Sequence, residues 1–413
     1  MTLETGVGLQ KECGMPNIVI KDQPCGSGKT SAMINTLQRN KKYLIVVPFL
    51  DEIRRIQEES KVTFKTPDNQ THSTKHNHLE ELLLEGANIV ITHALFERMR
   101  SLFLKGYLDN YHIIIDEVPN IVQAVNGPKR TSLEDIYIDG GYLYKDKMGL
   151  ITPARKWTDN EEDINDTLST VLLRKSQTGS LYIEGESNLI WAMPKELFTY
   201  GLSVTILTFL SEYSPFCMYL KKQGIPYTIE RSSNLETKFK QNAQSNLTLM
   251  NSGPLKTMNL SYSAQKRGIN IKSYTTKIQN SLKNLRSRQL KGIPPENILI
   301  TCLKDGWFDK EKSGSFRKNS KLSRAQWIPN TTRGTNLYRH CSHLIYMYEQ
   351  NLNPSVSRWL GIKDKKKCND AYALSELIQW VWRSRIRDQK SIELCLPSKR
   401  MKNLLFDWLG SHQ

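Results

Sequence analysis

Residues 17–30 read NIVIKDQPCGSGKT, an apolar strand pattern and a glycine-rich loop that lead into a helical pattern from Thr30 to Gln38. A strand, a loop and a helix in this order are the context that a phosphate-binding loop requires. Gly26 and Gly28 allow backbone N–H groups to wrap a polyphosphate without Cβ clashes. Lys29 is predicted to reach the β and γ phosphates, and Thr30 to offer its hydroxyl to Mg²⁺. The predicted ATP site consists of Gln23, Gly26, Ser27, Gly28, Lys29 and Thr30.

A pair of carboxylates follows a second apolar run, HIIIDEVP at residues 112–119. The run predicts a strand that delivers Asp116 and Glu117 to the carboxyl edge of a sheet, where parallel α/β sheets bind their ligands. We expect Asp116 to hold Mg²⁺ through water, and Glu117 to orient and deprotonate the attacking water. The pair is a weak signal alone, but downstream of a phosphate loop it predicts the second half of a hydrolysis site.

Short apolar runs rich in Ile and Val alternate with helical patterns along the chain, which is typical of an α/β fold with buried parallel sheets. The runs are Asn17–Lys21, Tyr43–Pro48, Asn88–Thr92, His112–Asp116, Val204–Leu210, Ile225–Glu230, Asn297–Leu303, His343–Tyr348 and Ser391–Pro397. Pro226 restricts one of these runs to a strand start or a sheet edge. The polar stretch from Asn120 to Gly201 breaks the rhythm and predicts an insertion with small elements of its own.

The charge distribution indicates a polyanionic partner. Between Lys221 and His340 there are 23 Lys and Arg against 6 Asp and Glu, which accounts for the whole net charge of +17. No carboxylate occurs between Glu236 and Glu296. The seven cysteines form no CxxC pair, which argues against a zinc ribbon or a disulfide framework. No apolar run is long enough to span a membrane and no signal pattern opens the chain, so a cytosolic protein is expected.

At these motifs the chain resembles superfamily 2 helicases, the group that includes the DEAD-box and DEAH-box relatives, from Asn17 to about Leu409. QPCGSGKT is similar to motif I, with Gln23 at the position where the strict pattern has Gly, and DEVP is similar to motif II. YLIVVPFLDEI, NIVITHALF and VTILTFL are similar to motifs Ia, Ib and III. The resemblance implies nucleic-acid contacts for Pro48, Thr92 and His93. It also implies that the motif III threonines Thr205 and Thr208 couple the ATP and nucleic-acid sites.

The second half of the chain carries matching signals. NILITCL resembles the opening strand of a second RecA-like lobe, and TRGTNLY resembles motif V, in which Gly334 would face the nucleotide and Thr335 the nucleic acid. QWVWRSRIR resembles motif VI, whose usual pattern is Gln-x-x-Gly-Arg-x-x-Arg. Here Trp382 replaces the Gly, and Ile386 occupies the place of the last Arg. The resemblance assigns catalytic roles to Gln379, Arg383 and Arg387, although Arg385 is the alternative arginine finger.

These patterns predict two RecA-like lobes, residues 14–212 and 213–413, with ATP between them and the insertion of about 120–201 in the first lobe. The basic segment 237–295 belongs to the second lobe. Its Lys266, Arg267 and Lys272 are predicted to hold nucleic-acid phosphates, while Tyr262 and Tyr274 would stack on bases.

Three classes of function are open at this point. The first is an ATP-dependent helicase or single-strand translocase, the second a duplex DNA translocase or remodeller, and the third an ATP-switched origin-binding protein. LYIEGESNLIWAMPKELF and PSKRMKNLLFDWL are similar to segments of phage and mobile-element helicases. That similarity implies a role in replication or in opening an origin, with replication proteins as expected partners in the host cytoplasm. DNA is favoured over RNA as the substrate, although the sequence leaves both open.

Overall fold

The computed structural model describes residues 16–68, 74–159, 167–185, 188–308, 314–332 and 334–410. Its strands are β1 (Asn17–Asp22), β2 (Lys42–Val47), β3 (Ile89–Thr92), β4 (Tyr111–Asp116), β5 (Val122–Val125), β6 (Leu143–Lys145), β7 (Leu150–Pro153), β8 (Leu181–Glu184), β9 (Asn188–Ala192), β10 (Ser203–Thr208), β11 (Tyr227–Arg231), β12 (Leu247–Leu249), β13 (Ile298–Thr301), β14 (Gln326–Trp327), β15 (His343–Tyr346) and β16 (Ile392–Cys395). Each predicted apolar run coincides with one of these strands.

The α-helices lie between the strands. They are α1 (Lys29–Thr36), α2 (Leu50–Glu59), α3 (Lys75–Leu84), α4 (His93–Phe96), α5 (Arg100–Leu104), α6 (Arg130–Ser132), α7 (Arg155–Asp159), α8 (Thr167–Gln177), α9 (Glu196–Thr199), α10 (Pro215–Lys222), α11 (Ser233–Asn246), α12 (Tyr262–Gly268), α13 (Lys272–Arg288), α14 (Lys304–Trp307), α15 (Pro354–Trp359), α16 (Lys365–Val381) and α17 (Lys399–Leu409). A π-helical turn, Leu133–Ile138, continues α6, and short 3₁₀ turns cover Gly253–Thr257, Pro295–Asn297 and Arg385–Asp388.

The first sheet is entirely parallel and has the strand order β11-β1-β10-β4-β2-β3. Its central strands are rows of Ile, Val and Leu, which are buried because helices cover both faces. β1, which precedes the phosphate loop, lies beside β10, and β10 lies beside β4, which precedes the two carboxylates. The sheet therefore brings three functional loops to one edge. β11 starts directly after Pro226 and lies at the sheet edge, as the proline predicts.

The second sheet is also parallel, with the order β12-β16-β15-β13-β14. The predicted α/β class with two RecA-like, parallel-sheet lobes is confirmed. β12 and β14 were not predicted, because strands of two or three residues leave no recognisable apolar run. In the described part of the chain, no helix is long and apolar enough to cross a bilayer.

We propose a lobe boundary later than the predicted one at 212–213. α10 packs into the first core through Phe216 and Tyr219, and β11 pairs with β1. The second core contains Phe239 and Ala243 of α11. A boundary at 212–213 would separate α10 from the first core and β11 from the first sheet, so the division that we propose lies at Ser232.

The insertion predicted at 120–201 forms a sheet of its own, antiparallel and ordered β5-β9-β8-β7-β6. A helix from the second half of the sequence docks on it. The Val356 and Trp359 side chains of α15 are buried in the core that the first lobe shares with the insertion. The Trp359 ring lies 5.2 Å from the Tyr182 ring, centroid to centroid, and Lys222 Nζ is 4.7 Å from the Trp359 centroid. The insertion therefore joins the two halves of the molecule.

Candidate nucleotide site between the lobes

The loop between β1 and α1 has the backbone conformation that its glycines permit. Gly26 and Gly28 have φ values of 75° and 81°, in the left-handed region that residues with a Cβ rarely adopt. The Lys29 ammonium donates to the carbonyl oxygens of Gln23 at 2.7 Å and Pro24 at 3.1 Å. This places a fixed positive charge inside the loop at the N-terminus of α1, where anions bind.

The β4 carboxylate meets the hydroxyl that follows the phosphate loop. Thr30 Oγ1 donates to Asp116 Oδ2 at 2.8 Å, although 86 residues separate them in sequence. Burial raises the pKa of the Asp116 carboxyl to about 6, and the neighbouring Glu117 carboxylate acts in the same direction. Near neutral pH, Asp116 is therefore mostly ionised and can serve as a ligand in the metal shell.

Glu117 lies at the turn that leaves β4. Its φ of 58° is unusual for a residue with a side chain, and its N–H donates to the Leu207 carbonyl of β10 at 2.9 Å. Strained backbone of this kind is often associated with functional sites. The side chain points toward the second lobe, where Arg383 Nη2 donates to Glu117 Oε1 at 3.3 Å. The predicted general base and the first motif VI arginine thus form an ion pair across the interface.

The second motif VI arginine lies against the phosphate loop. A Cβ placed on Gly26 would be 3.2 Å from Arg387 Cγ, which shows how closely the two segments pack. Arg387 Nη1 donates to Asn336 Oδ1 at 2.7 Å. Arg385 turns away instead, and its Nε donates to the Ser391 carbonyl at 2.6 Å. The geometry favours Arg387 over Arg385 as the arginine finger.

The residues present suit a magnesium nucleotide. Ser27 Oγ in the loop and the Nε of buried Arg383 are inaccessible to solvent and have no hydrogen-bond partner among the described residues. A polyphosphate offers acceptors to both. Within the described ranges, no group of three or more His, Cys, Asp or Glu side chains has the geometry to hold a metal. Mg²⁺ is usually held by one or two carboxylates together with substrate phosphates, and Thr30 and Asp116 are its predicted ligands here.

A cleft of about 770 Å³ opens next to this site and is lined by both lobes. Pro48, His93 and Glu117 line it from the first lobe, and Gln379 from the second. The Gln379 side chain donates to Ser375 Oγ at 2.9 Å. A ring nitrogen of His93 lies 3.0 Å from the Asp116 carbonyl oxygen. His93 therefore connects the cleft, where nucleic acid is predicted to bind, to the backbone of Asp116, the predicted metal ligand.

The remaining predicted motif residues lie at the edge of this cleft. Thr92 is the last residue of β3 and precedes α4. Gly334, with a φ of 70°, contacts the first lobe, since a Cβ there would be 2.7 Å from Phe49 Cε2 and 2.8 Å from Pro48 Cγ. Thr335 Oγ1 accepts from the Leu337 N–H at 3.3 Å. The structure thus joins motif V to motif Ia, whereas the predicted nucleotide contact of Gly334 stays a prediction.

The basic residues predicted to hold nucleic acid lie outside the cleft. Lys266 and Arg267 are exposed at the end of α12, and Lys272 is exposed at the start of α13. Tyr262 is 56% exposed, which suits a stacking role. Tyr274 is only partly exposed, because its ring packs against Gly268 and its hydroxyl donates to the Asn259 carbonyl at 2.8 Å. These contacts suit a stacking role less well than those of Tyr262, and the role of Tyr274 stays a prediction.

Asp22 is a site residue that the sequence analysis missed. It is buried at the end of β1, and its carboxylate accepts from the Leu210 N–H at 2.8 Å. It also accepts from the Ser211 N–H at 3.0 Å and the Ser211 hydroxyl at 2.8 Å. Asp22 thereby ties the phosphate-loop strand to the turn after β10. In the sequence, the signal for this role is that Asp22 lies directly before QPCGSGKT.

We expect Asp22→Ala to lower the free energy of unfolding by roughly 2 to 4 kcal/mol, because each buried donor left unpaired costs about 1–3 kcal/mol and the turn will partly relax. Asp22→Asn, which keeps one acceptor oxygen, should lose less. Urea unfolding followed by circular dichroism measures both. Asp51→Ala on exposed α2 is the control, and equal losses in the Asp22 and Asp51 variants would contradict the assignment.

The chain is similar to a family model, to a curated protein sequence and to solved protein structures. A family model described as the YonV C-terminal Rossmann-like domain matches residues 237–409. The SPbeta prophage-derived uncharacterized protein YonV of Bacillus subtilis (strain 168) is 27% identical over 434 residues, covering 97% of this chain and 100% of the relative. The solved structure of S. tokodaii Xpd4 is 12% identical, with a TM-score of 0.46, and covers 96% of this chain and 95% of that one. S. cerevisiae Dbp5 bound to RNA and ADP BeF3 is 12% identical, with a TM-score of 0.40, over 96% of this chain and 84% of that one.

Proposed function

We propose that this chain is an ATP-driven nucleic-acid motor, a helicase or single-strand translocase. The observation that carries the proposal is the composition of the interface. The first lobe provides the phosphate loop with Lys29 and the Asp116–Glu117 pair, while the second lobe provides Arg383 at Glu117 and Arg387 at Gly26. Because the residues of this hydrolysis site come from both lobes, the two lobes must be in contact for ATP to be hydrolysed. ATP hydrolysis is thereby coupled to movement of one lobe relative to the other.

Each side chain has a defined task in this proposal. Lys29 binds the β and γ phosphates, and Glu117 orients the attacking water and accepts its proton. Arg387 lies where it can neutralise the charge that develops on the γ-phosphoryl group during transfer, and Arg383 positions Glu117. Thr30 and Asp116 would hold Mg²⁺, which supplies further charge neutralisation when it is bound with ATP. Gln379 lines the same cleft as Glu117 and can orient the nucleotide or water.

The nucleic-acid part of the proposal rests on charge and on the cleft. The net charge of +17 is concentrated in the second lobe, and a surface of that sign attracts phosphates. Pro48, Thr92, His93 and Thr335 provide the predicted contacts at the cleft, and Lys266, Arg267 and Lys272 those outside it. We further propose a role in phage or mobile-element replication, with DNA as the substrate and replication proteins as partners; the prophage-derived relative is consistent with a phage setting only.

Two alternative functions use the same ATP site. A duplex DNA translocase would hydrolyse ATP without separating strands, and an ATP-switched origin-binding protein would bind one sequence without moving. The divided hydrolysis site favours both motors over the switch, because a switch needs nucleotide binding but not an arginine at the γ-phosphoryl group. A strand-displacement assay beside a triplex-displacement assay separates the first two functions.

We expect the ATPase rate to rise at least tenfold with single-stranded or forked DNA, since nucleic acid must bridge the lobes to close the site. The measurement adds single-stranded DNA, duplex DNA, forked DNA and RNA in turn at fixed ATP. Binding should depend steeply on salt and little on sequence. An ATPase rate that none of the four raises, or sequence-specific binding that persists at high salt, would overturn the motor in favour of the origin-binding function.

A further inference from the structure

The outer face of α13 is an unusual surface. Its buried side packs on the second sheet through Ile278, Leu282 and Leu285. Its exposed side carries only basic, hydroxyl and amide side chains: Lys272, Ser273, Thr276, Lys277, Asn280, Lys283, Asn284, Ser287 and Arg288. Exposed protein surfaces normally mix charges of both signs. A helix of 17 residues without a single carboxylate therefore points to a polyanion.

This face forms one wall of a groove. The groove has a volume of about 580 Å³ and is lined by Pro254 and by residues of α13 from Lys272 to Asn284. Lys277 Nζ donates to Thr257 Oγ1 at 2.9 Å, which holds this cation at the groove wall. Lys272, Lys277 and Lys283 form no ion pair with an acidic residue in the described part of the chain. We call this surface, Pro254 together with the exposed side of α13, the α13 groove.

We propose that the α13 groove binds the phosphodiester backbone of duplex nucleic acid, as an anchor separate from the cleft; this inference rests on the proposed function. None of the groove residues lines the cleft between the lobes. The motor thus has two sites for nucleic acid, one for the strand that it tracks and one for the neighbouring duplex.

The side chains of the groove favour a duplex over a single strand. Single-strand sites combine cations with aromatic rings on which bases stack. The groove lining contains no aromatic residue, and Tyr274 of α13 is turned into the protein. Duplex bases are already stacked inside the helix, so a protein meets mainly phosphates and sugars, which accept from Lys, Ser, Thr and Asn.

The spacing of the cations also suits a backbone. Lys272, Lys277, Lys283 and Arg288 follow one another at intervals of five or six residues. Along the helix axis, at 1.5 Å per residue, these intervals are about 7.5 to 9 Å, and the four cations span about 24 Å. Because five or six residues turn a helix by about 140° or 240°, Lys272 and Lys283 lie at one edge of the exposed face, and Lys277 and Arg288 at the other. A duplex has one phosphate per strand for about every 3.4 Å of its axis, so the cations cover the length of several phosphates.

The test measures binding without ATP, by fluorescence anisotropy of a labelled DNA duplex and of the single strand of the same sequence, at several salt concentrations. The double variant Lys277→Glu and Lys283→Glu changes two exposed groove residues. The matched control is Lys145→Glu and Lys147→Glu, which makes the same charge change on exposed residues of the insertion. We expect the groove variant to lower the slope of log affinity against log salt for the duplex by about 1.8, or 0.9 for each lost contact, relative to the control.

The single strand should lose no more affinity in the groove variant than in the control. An equal loss of affinity for duplex and single strand would overturn the duplex assignment. A salt slope for the duplex equal to that of the control variant would exclude nucleic acid from the groove. An acidic protein would then be its partner. Because no hydrolysis is needed, the result is independent of the ATPase experiment. A chain that binds duplex through the groove but shows no stimulated ATPase would refute the motor and not the groove.

Discussion

Glu117→Gln is expected to bind ATP and to hydrolyse it about 10²- to 10⁴-fold more slowly, the contribution typical of a general base. The amide cannot accept the proton of the attacking water. The phosphate contacts of Lys29 and the loop remain, so the variant should trap the nucleotide. The substitution also removes the charge that pairs with Arg383 at 3.3 Å, which loosens the contact between the lobes.

Lys29→Ala should also stop turnover, but by a different route, because it removes the positive charge inside the phosphate loop and therefore lowers ATP affinity. Equilibrium binding of a fluorescent ATP analogue, together with steady-state ATPase rates, separates the two effects. Glu58→Gln makes the same chemical change on the exposed face of α2 and should behave like the unmodified protein. Near-normal hydrolysis in Glu117→Gln would mean that another group activates the water.

Arg387→Ala is expected to reduce the turnover number by about 10³-fold or more, the magnitude associated with an arginine that stabilises a transferring phosphoryl group. Arg385→Ala provides a matched control two residues away in the same 3₁₀ turn. Its guanidinium donates to the Ser391 carbonyl at the protein surface, so its removal should change turnover less than tenfold. ATP affinity should fall little in either variant, because the Arg387 contribution is largest in the transition state.

The measurement is the ATPase rate at saturating ATP and saturating nucleic acid. A similar loss in both variants would show that the whole turn acts as a unit, and a larger loss in Arg385→Ala would reverse the assignment. A circular dichroism spectrum checks the fold of each variant. Arg383 is less suitable for this comparison, because its burial makes truncation a test of folding as well as of catalysis.

The α13 groove and the α15 contact bear on how such a motor would work. α15 connects the second half of the chain to the insertion, and the insertion follows directly after Glu117 in sequence. We expect a movement of the second lobe to be transmitted through this contact to the segment behind the general base. If the α13 groove holds duplex, that site moves with the lobe that carries the arginines, whereas the cleft is lined by both lobes.

Local patterns in the sequence determined much of this protein. Steric requirements act within a few residues at the phosphate loop, where Gly26 and Gly28 are needed for positive φ. The central strands of the parallel sheets, such as β2 and β4, are continuous apolar runs because they are buried on two faces. The motif residues and the α/β class follow from those short-range rules. So does the position of β11 at a sheet edge, since Pro226 lacks the N–H that an interior strand donates.

The tertiary structure decided what depends on contacts between distant segments. Arg385 and Arg387 are chemically identical, and only the packing of the turn against Gly26 distinguishes them. Tyr274 is interchangeable with Tyr262 in sequence, but the helix phase packs its ring against Gly268, whereas Tyr262 is exposed. The lobe boundary that we propose at Ser232 depends on the pairing of β1 with β11, in which Ile18 lies opposite Tyr227. Each of these was set by long-range burial and register, which no window of neighbouring residues contains.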